Sequence, residues 1–125
     1  MALKQEELIK IVEKILSLDE QMRFAAIIDL NGKIVEGIMN EGKTSLESQK
    51  QEELFCMQVA DRRKMRHEFD NELGKVRYVN VEREKVTQIV VYSKKNTIFV
   101  TMEPEITLQK KTDIINNIKK LTSNL

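Results

Sequence analysis

Between Asp61 and Gly74 the chain reads DRRKMRHEFDNELG, with four basic side chains in the five positions from Arg62 to Arg66. Guanidinium groups at that density serve phosphate or carboxylate recognition through paired, charge-assisted hydrogen bonds. They equally serve as the solvated face of a helix, with apolar stems lying along the protein and charged heads in water. Two more cations, Arg83 and Lys85, stand in the short polar link REK further on. Other chemistry is sparse. His67 is the lone histidine and Cys56 the lone cysteine, so no set of ligands at metal spacing exists. Next to Glu68, His67 reads as a surface residue. Cys56, among Leu54, Phe55, Met57 and Val59, reads as a buried, inert thiol. Glu52 and Glu53 are neighbours that point apart on a helix. The four glycines form no phosphate-cradling motif. No cofactor, metal or catalytic residue is implied, and the reading is a non-enzymatic protein.

The elements that must position these residues are legible from periodicity. Leu8, Ile11, Val12, Ile15 and Leu16 recur at helical spacing, predicting an amphipathic helix over 3–17. RFAAIIDL and KIVEGIM flank Asn31-Gly32, a pair suited to a two-residue type I′ hairpin. The first arm suits a central strand and the second, with Glu36, an edge. Thr44 and Glu47 have capping-box spacing, so a long helix is expected from about Ser45 to Leu73, closed by Gly74. KVRYVNVE, VTQIVVYS and TIFVTME then read as three strands of an antiparallel meander, joined by REK and KKN. After Pro104, Leu108, Ile114, Ile115, Ile118 and Leu121 mark a last helix. Five strands with apolar faces need cover on both sides. The long helix supplies one layer and the terminal helices the other.

On a wheel of about 100° per residue, Leu54, Phe55, Val59, Met65, Phe69 and Leu73 form one apolar stripe of the long helix. That stripe is expected to face the sheet. Arg62 and Arg66 fall inside it, whereas Arg63, Lys64 and His67 fall on the wet side. A charge turned toward a core is costly unless paired. Three accounts stay open: solvated heads on buried stems, a pair with a carboxylate such as Glu82 or Glu84 or with a second subunit, or recognition of an anion.

Composition limits the rest. With 125 residues, 41% hydrophobic and 33% charged, the chain has the size of one domain over 1–125 and a globular balance. No apolar run approaches the roughly 20 residues of a membrane helix. MALKQEELIKIVEK is too acidic for a signal peptide, and a single cysteine suits a reducing, cytoplasmic setting. Residues 1–60 hold 7 basic and 11 acidic side chains; residues 61–125 hold 14 and 9. This mild asymmetry, with six aromatics and no tryptophan, points away from nucleic acid.

The order helix, two strands, helix, three strands, helix, with the hairpin FAAIIDLNGKIVEG, resembles the roadblock family of dynein light chains and bacterial polarity regulators, within the profilin-like group. The letters Met65-Arg66, Glu68-Phe69-Asp70, Leu73-Gly74 and Arg83-Glu84-Lys85-Val86 are similar to those of a group of small archaeal proteins. The resemblance implies an α+β fold with a five-stranded antiparallel sheet sandwiched by helices. It further implies a homodimer built on an edge strand and the central helix, and a role scaffolding or regulating a partner such as a small GTPase. The edge strand is expected to be KVRYVNVE, placing Val79, Val81, Met65 and Phe69 at the dimer interface. Arg62, Arg66, Arg83 and Lys85 are expected to border the partner- or anion-binding surface. The alternative is a PAS- or GAF-like sensor with a pocket between sheet and long helix. A long helix split in two, or an absent hairpin at Asn31-Gly32, would overturn the roadblock likeness.

Overall fold

The computed structural model describes residues 4–125; Leu3, the first position of the expected N-terminal helix, lies outside that range. The elements run α1 (Gln5–Leu16), β1 (Met22–Asp29), β2 (Ile34–Met39), α2 (Gln49–His67), α3 (Asp70–Leu73), β3 (Tyr78–Glu82), β4 (Thr87–Tyr92), β5 (Asn96–Met102) and α4 (Leu108–Leu121). All strand pairs are antiparallel and the sheet order is β2-β1-β5-β4-β3. The expected meander is present, β1 is central, and β2 and β3 are the edges.

Period-two alternation gives the sheet two apolar faces. Ala25, Ile27, Ile89, Val91, Ile98 and Val100 meet Leu8, Val12 and Ile15 of α1 and Ile114, Ile115 and Ile118 of α4. Phe24, Ala26, Ile28, Val90 and Phe99 meet Cys56 and Val59 of α2. The layering is therefore the expected one. Lys111 of α4 is buried and pairs with Glu82 of β3, which supplies the counter-charge that its burial demands. At the opposite edge, the Gln5 side chain donates to the Val35 carbonyl at 3.4 Å and also bonds Glu36, so α1 shields the outer side of β2.

Two local expectations are corrected. The β1–β2 link is not a two-residue turn: the Asp29 N–H donates to the Lys33 carbonyl at 2.9 Å and closes a loop of three residues, Leu30 to Gly32, before β2 begins at Ile34. Only Gly32 is left-handed, at φ +91°, whereas a type I′ turn needs both central residues there. The Asp29 carboxylate is the reason: it accepts from the backbone N–H groups of Asn31 and Lys33, both at 2.9 Å, and stabilises the wider loop. The long helix is also shorter and divided. It starts at Gln49 because Ser48 and Gln51 form the capping box. Ser45 is engaged in a local turn with Glu47, and the Thr44 carbonyl accepts from Arg23 at 2.6 Å. After His67 a turn at Glu68–Phe69 separates α2 from the single turn of α3.

Arg23 and Lys43 both donate to the Glu103 carboxylate, at 2.8 Å and 3.0 Å, and anchor the loop before α2 to β1 and β5. The Lys43 hydrogen bond, aided by Arg23 and opposed by partial burial, holds the Glu103 carboxyl below the ordinary glutamate range. A depressed folded value means stability that is present above the unfolded pKa of about 4.3 and lost as pH falls through the folded one. Urea titrations of Glu103→Gln should show a flatter decline below about pH 4 than the parent. Gly32 offers a second test. A Cβ there would sit 2.6 Å from Met57 Cα and 3.1 Å from the Cys56 carbonyl, on top of the left-handed φ. Gly32→Ala should cost about 2–4 kcal/mol in denaturant unfolding; a loss under about 0.5 kcal/mol would show that α2 does not rest on the hairpin.

Candidate functional site

The rotation of α2 about its own axis decides where its basic residues lie, and it differs from the wheel reading. The face on the sheet is Cys56, Val59, Ala60 and Arg63. Cys56, Val59 and Ala60 are buried, whereas Leu54, Met57, Met65 and Phe69 are 53–63% exposed. Small side chains explain the choice. Cys56 and Ala60 let the helix backbone come down on the hairpin at Gly32, which Leu54 or Met65 could not allow.

Arg63, expected on the wet side, is accordingly turned inward. Its Nη1 donates to the Asn96 carbonyl at 2.7 Å and to Thr97 Oγ1 at 2.9 Å, and its Nη2 donates to the Ser93 carbonyl. Its guanidinium lies 4.8 Å from the Tyr92 ring centroid. Burial pulls the Arg63 pKa below the ordinary arginine value, an effect opposed by Tyr92 and Asp70. Arg66, one turn later, donates to the Tyr92 hydroxyl at 2.9 Å. Arg62 is exposed on the apolar flank. The expected sheet carboxylates do not partner either residue: Glu82 holds Lys111, and Glu84 is exposed. His67 lies at the surface with Nδ1 2.7 Å from Asp70 Oδ2.

Arg83 and Lys85 are not brought to this cluster. Arg83 donates to Gln88 at 2.8 Å, four residues along β4 from Tyr92, and Lys85 is exposed in the same turn. That spacing is about 13 Å of strand. On β3, Val79 packs half-buried against the α2-side core and Val81 is 39% exposed on the same face. Tyr78 is also exposed, so this edge carries open backbone groups beside apolar side chains. Met65 and Phe69 stand on the outward face of α2 and the turn after it. Cys56 matches its reading: it is fully buried, and burial, with the nearby carboxylates of Glu52, Glu47 and Glu53, pushes its pKa up to about 12. It is a protonated thiol, unsuited to nucleophilic work.

Beyond Tyr92 a cleft of about 680 Å³ opens between the C-terminal half of α2, the β4–β5 turn and the end of α4. The sequence reading missed most of its lining, Arg63, Lys94 and Lys119 among them. The available signal was the pair of small residues Cys56 and Ala60, one turn apart, which mark the sheet-facing side of α2 better than its larger apolar residues do. Among the described residues no group of three or more His, Cys, Asp and Glu is placed to hold a metal ion, and no helix is long and apolar enough to cross a membrane.

A family model described as "Family of unknown function (DUF6659)" matches residues 4–124. The chain belongs to this family. No curated protein matches the sequence. Among solved structures, the DUF6659 chain is similar to the gliding protein MglB of Thermus thermophilus at a TM-score of 0.80 and 12% identity, over 99% of this chain and 93% of that one. It is similar to a roadblock/LC7 domain of Streptomyces avermitilis at 0.64 and 9%, over 90% and 95% of the two chains. It also resembles profilin II of Acanthamoeba castellanii at 0.57 and 15%, over 90% and 94%. At these identities the likeness is one of fold: this DUF6659 chain has the roadblock and profilin-like architecture. The helix is divided, and the expectation that this would overturn the likeness is corrected: strand order and pairing carry the architecture, not an unbroken helix.

The two neighbouring arginines should separate cleanly. Arg63→Ala leaves the Ser93 and Thr97 oxygens short of a donor and should cost about 2 kcal/mol. Arg62→Ala should stay within about 0.5 kcal/mol. Equal losses in urea unfolding would contradict the rotation of α2 described here.

Proposed function

We propose that residues 1–125 form one non-enzymatic, cytoplasmic interaction module that acts as a homodimer through the outward face of α2 and the β3 edge. The observation that carries this is the row Leu54, Met57, Met65 and Phe69, more than half exposed on a helix whose other side is already packed. Exposed apolar rows of this kind mark association surfaces. The row is self-complementary. In an antiparallel pairing of two α2 helices about Asp61, Met57 falls opposite Met65, and Leu54 falls opposite Glu68, one residue short of Phe69. Arg62 then falls beside Asp61 of the partner subunit, so the oddly placed arginine gains a carboxylate. A two-fold axis there suits an isologous contact.

A sensor of PAS or GAF type would need room between the long helix and the sheet. Under the first half of α2 that space is filled by Phe24, Phe55, Phe99 and Val90, with Phe55 and Phe99 ring centroids 5.1 Å apart. Whereas the cleft beyond Tyr92 lies beside the other half of the helix, the filled core at this end, with the exposed apolar row, favours the adaptor reading. Its further partner, a small GTPase, rests on the roadblock likeness alone, which is analogy of fold. Capture from the native host read by mass spectrometry tests it, and the absence of any GTPase among specific partners counts against it.

Light scattering at micromolar concentration should give twice the monomer mass. Met65→Asp should weaken the dimer by about 3 kcal/mol while leaving monomer unfolding unchanged, because Met65 is exposed in the isolated chain. Asp61→Arg and Arg62→Asp should each weaken it and restore it when combined. A parent chain that is monomeric under these conditions rules the proposal out.

A further inference from the structure

The cleft beyond Tyr92 has a charge balance that the interaction reading does not use. Its lining includes Arg63, Lys64, Arg66, Lys75, Lys94 and Lys119, and the one carboxylate among the lining residues is Asp70, engaged with His67. With His67 neutral the lining carries +5. Helix C-termini account for part of this. Lysines and arginines in the last turns of α2 and α4 offset about half a negative charge at each end, leaving roughly +4 without a counterpart.

The arginines are also held in place. Arg63 is fixed by neutral acceptors only, on Ser93, Asn96 and Thr97, so its charge meets no carboxylate within hydrogen-bond reach. Arg66 is half-buried and uses one N–H, on the Tyr92 hydroxyl. A guanidinium has five N–H donors, and no other group among the described residues accepts from this one. Tyr92 thus acts as a brace, its ring against Arg63 and its hydroxyl on Arg66. Preorganised donors of this sort bind anions with little loss of side-chain freedom. Ala60 lines the cleft from α2 and Val91 from β4, and exposed Lys64, Lys75 and Lys94 stand at its rim. The volume lies within the usual range of about 300–1,000 Å³ for small-molecule sites.

We propose that this cleft binds a small soluble polyphosphate ester of nucleotide size. Arg66, Lys94 and Lys119 take the phosphates, and the organic part rests against the apolar lining residues Ala60, Val76 and Val91. Several separate cations around one opening match several linked anionic groups better than a single carboxylate. The site lies on the flank of α2 away from Met65 and Leu54, although Lys75, Val76 and Lys119, the last 5.4 Å from the Tyr78 ring centroid, border the start of β3.

Isothermal titration of the full chain with ATP and with tripolyphosphate, at fixed ionic strength, is the test. Saturable binding of both is expected, tighter for ATP. Lys94→Met lies on an exposed turn and cannot disturb the core; it should weaken binding about tenfold. Arg66→Met should do the same or more, with an unchanged circular dichroism spectrum confirming the fold. Arg83→Met, at the other end of the sheet, should change nothing. Absence of saturable binding up to millimolar concentration overturns the proposal. So does an equal loss with Arg83→Met, which would reveal attraction to net charge alone. Binding of tripolyphosphate without ATP removes the ester and leaves an inorganic anion site. Light scattering on Lys94→Met keeps the two proposals apart, since the dimer should survive it.

Discussion

The contact between Gly32 and the backbone of α2 at Cys56–Met57 is the constraint on which the functional surfaces depend. Two backbones approach there more closely than any Cβ permits. Cys56 and Ala60 are the small residues that make the approach possible from the helix side. Once that side faces the sheet, Leu54, Met57, Met65 and Phe69 must point away from it. Arg63 must also point down the helix toward the β4–β5 turn. An exposed apolar row and an inward arginine look like faults in the sequence. They are two results of one packing decision.

Arg63 secures the same decision at the far end. Its hydrogen bonds to Ser93, Asn96 and Thr97 tie the last turns of α2 to the tip of β4–β5, where few apolar contacts exist. The N-terminal end is held by Ser48 and Gln51 and by the loop fastened through Glu103. The helix is therefore fixed at its start, middle and end by different chemistry, and apolar burial supplies only part of its hold. This agrees with how few of its residues, Cys56, Val59 and Ala60, are buried.

Much of the fold was legible in the sequence because strands β1, β4 and β5 and helices α1 and α4 bury their apolar residues, so periodicity reports burial directly. The β3 and β2 edges were legible from Glu36 and from the polar positions around Val79 and Val81. The α2 region was not, since its larger apolar residues face outward and period alone cannot tell a core from an interface. Thr44 and Ser48 both satisfy a capping pattern, and only the use of Thr44 and Ser45 in the preceding loop decides between them. Asp29 widened a loop that Asn31-Gly32 would have closed in two residues. The cleft joins Arg66, Lys94 and Lys119 across about fifty residues of chain, a meeting that requires the strand order and not merely the strands.

The unequal treatment of the two sheet edges bears on how large an assembly can grow. On β2 the Gln5 side chain occupies the Val35 carbonyl and α1 lies over the strand, while β3 stays open. A sheet that can add a neighbour on one side only cannot propagate. If two chains meet through β3 as proposed, the outermost strands are the two β2 copies flanked by α1, an arrangement that disfavours further strand addition.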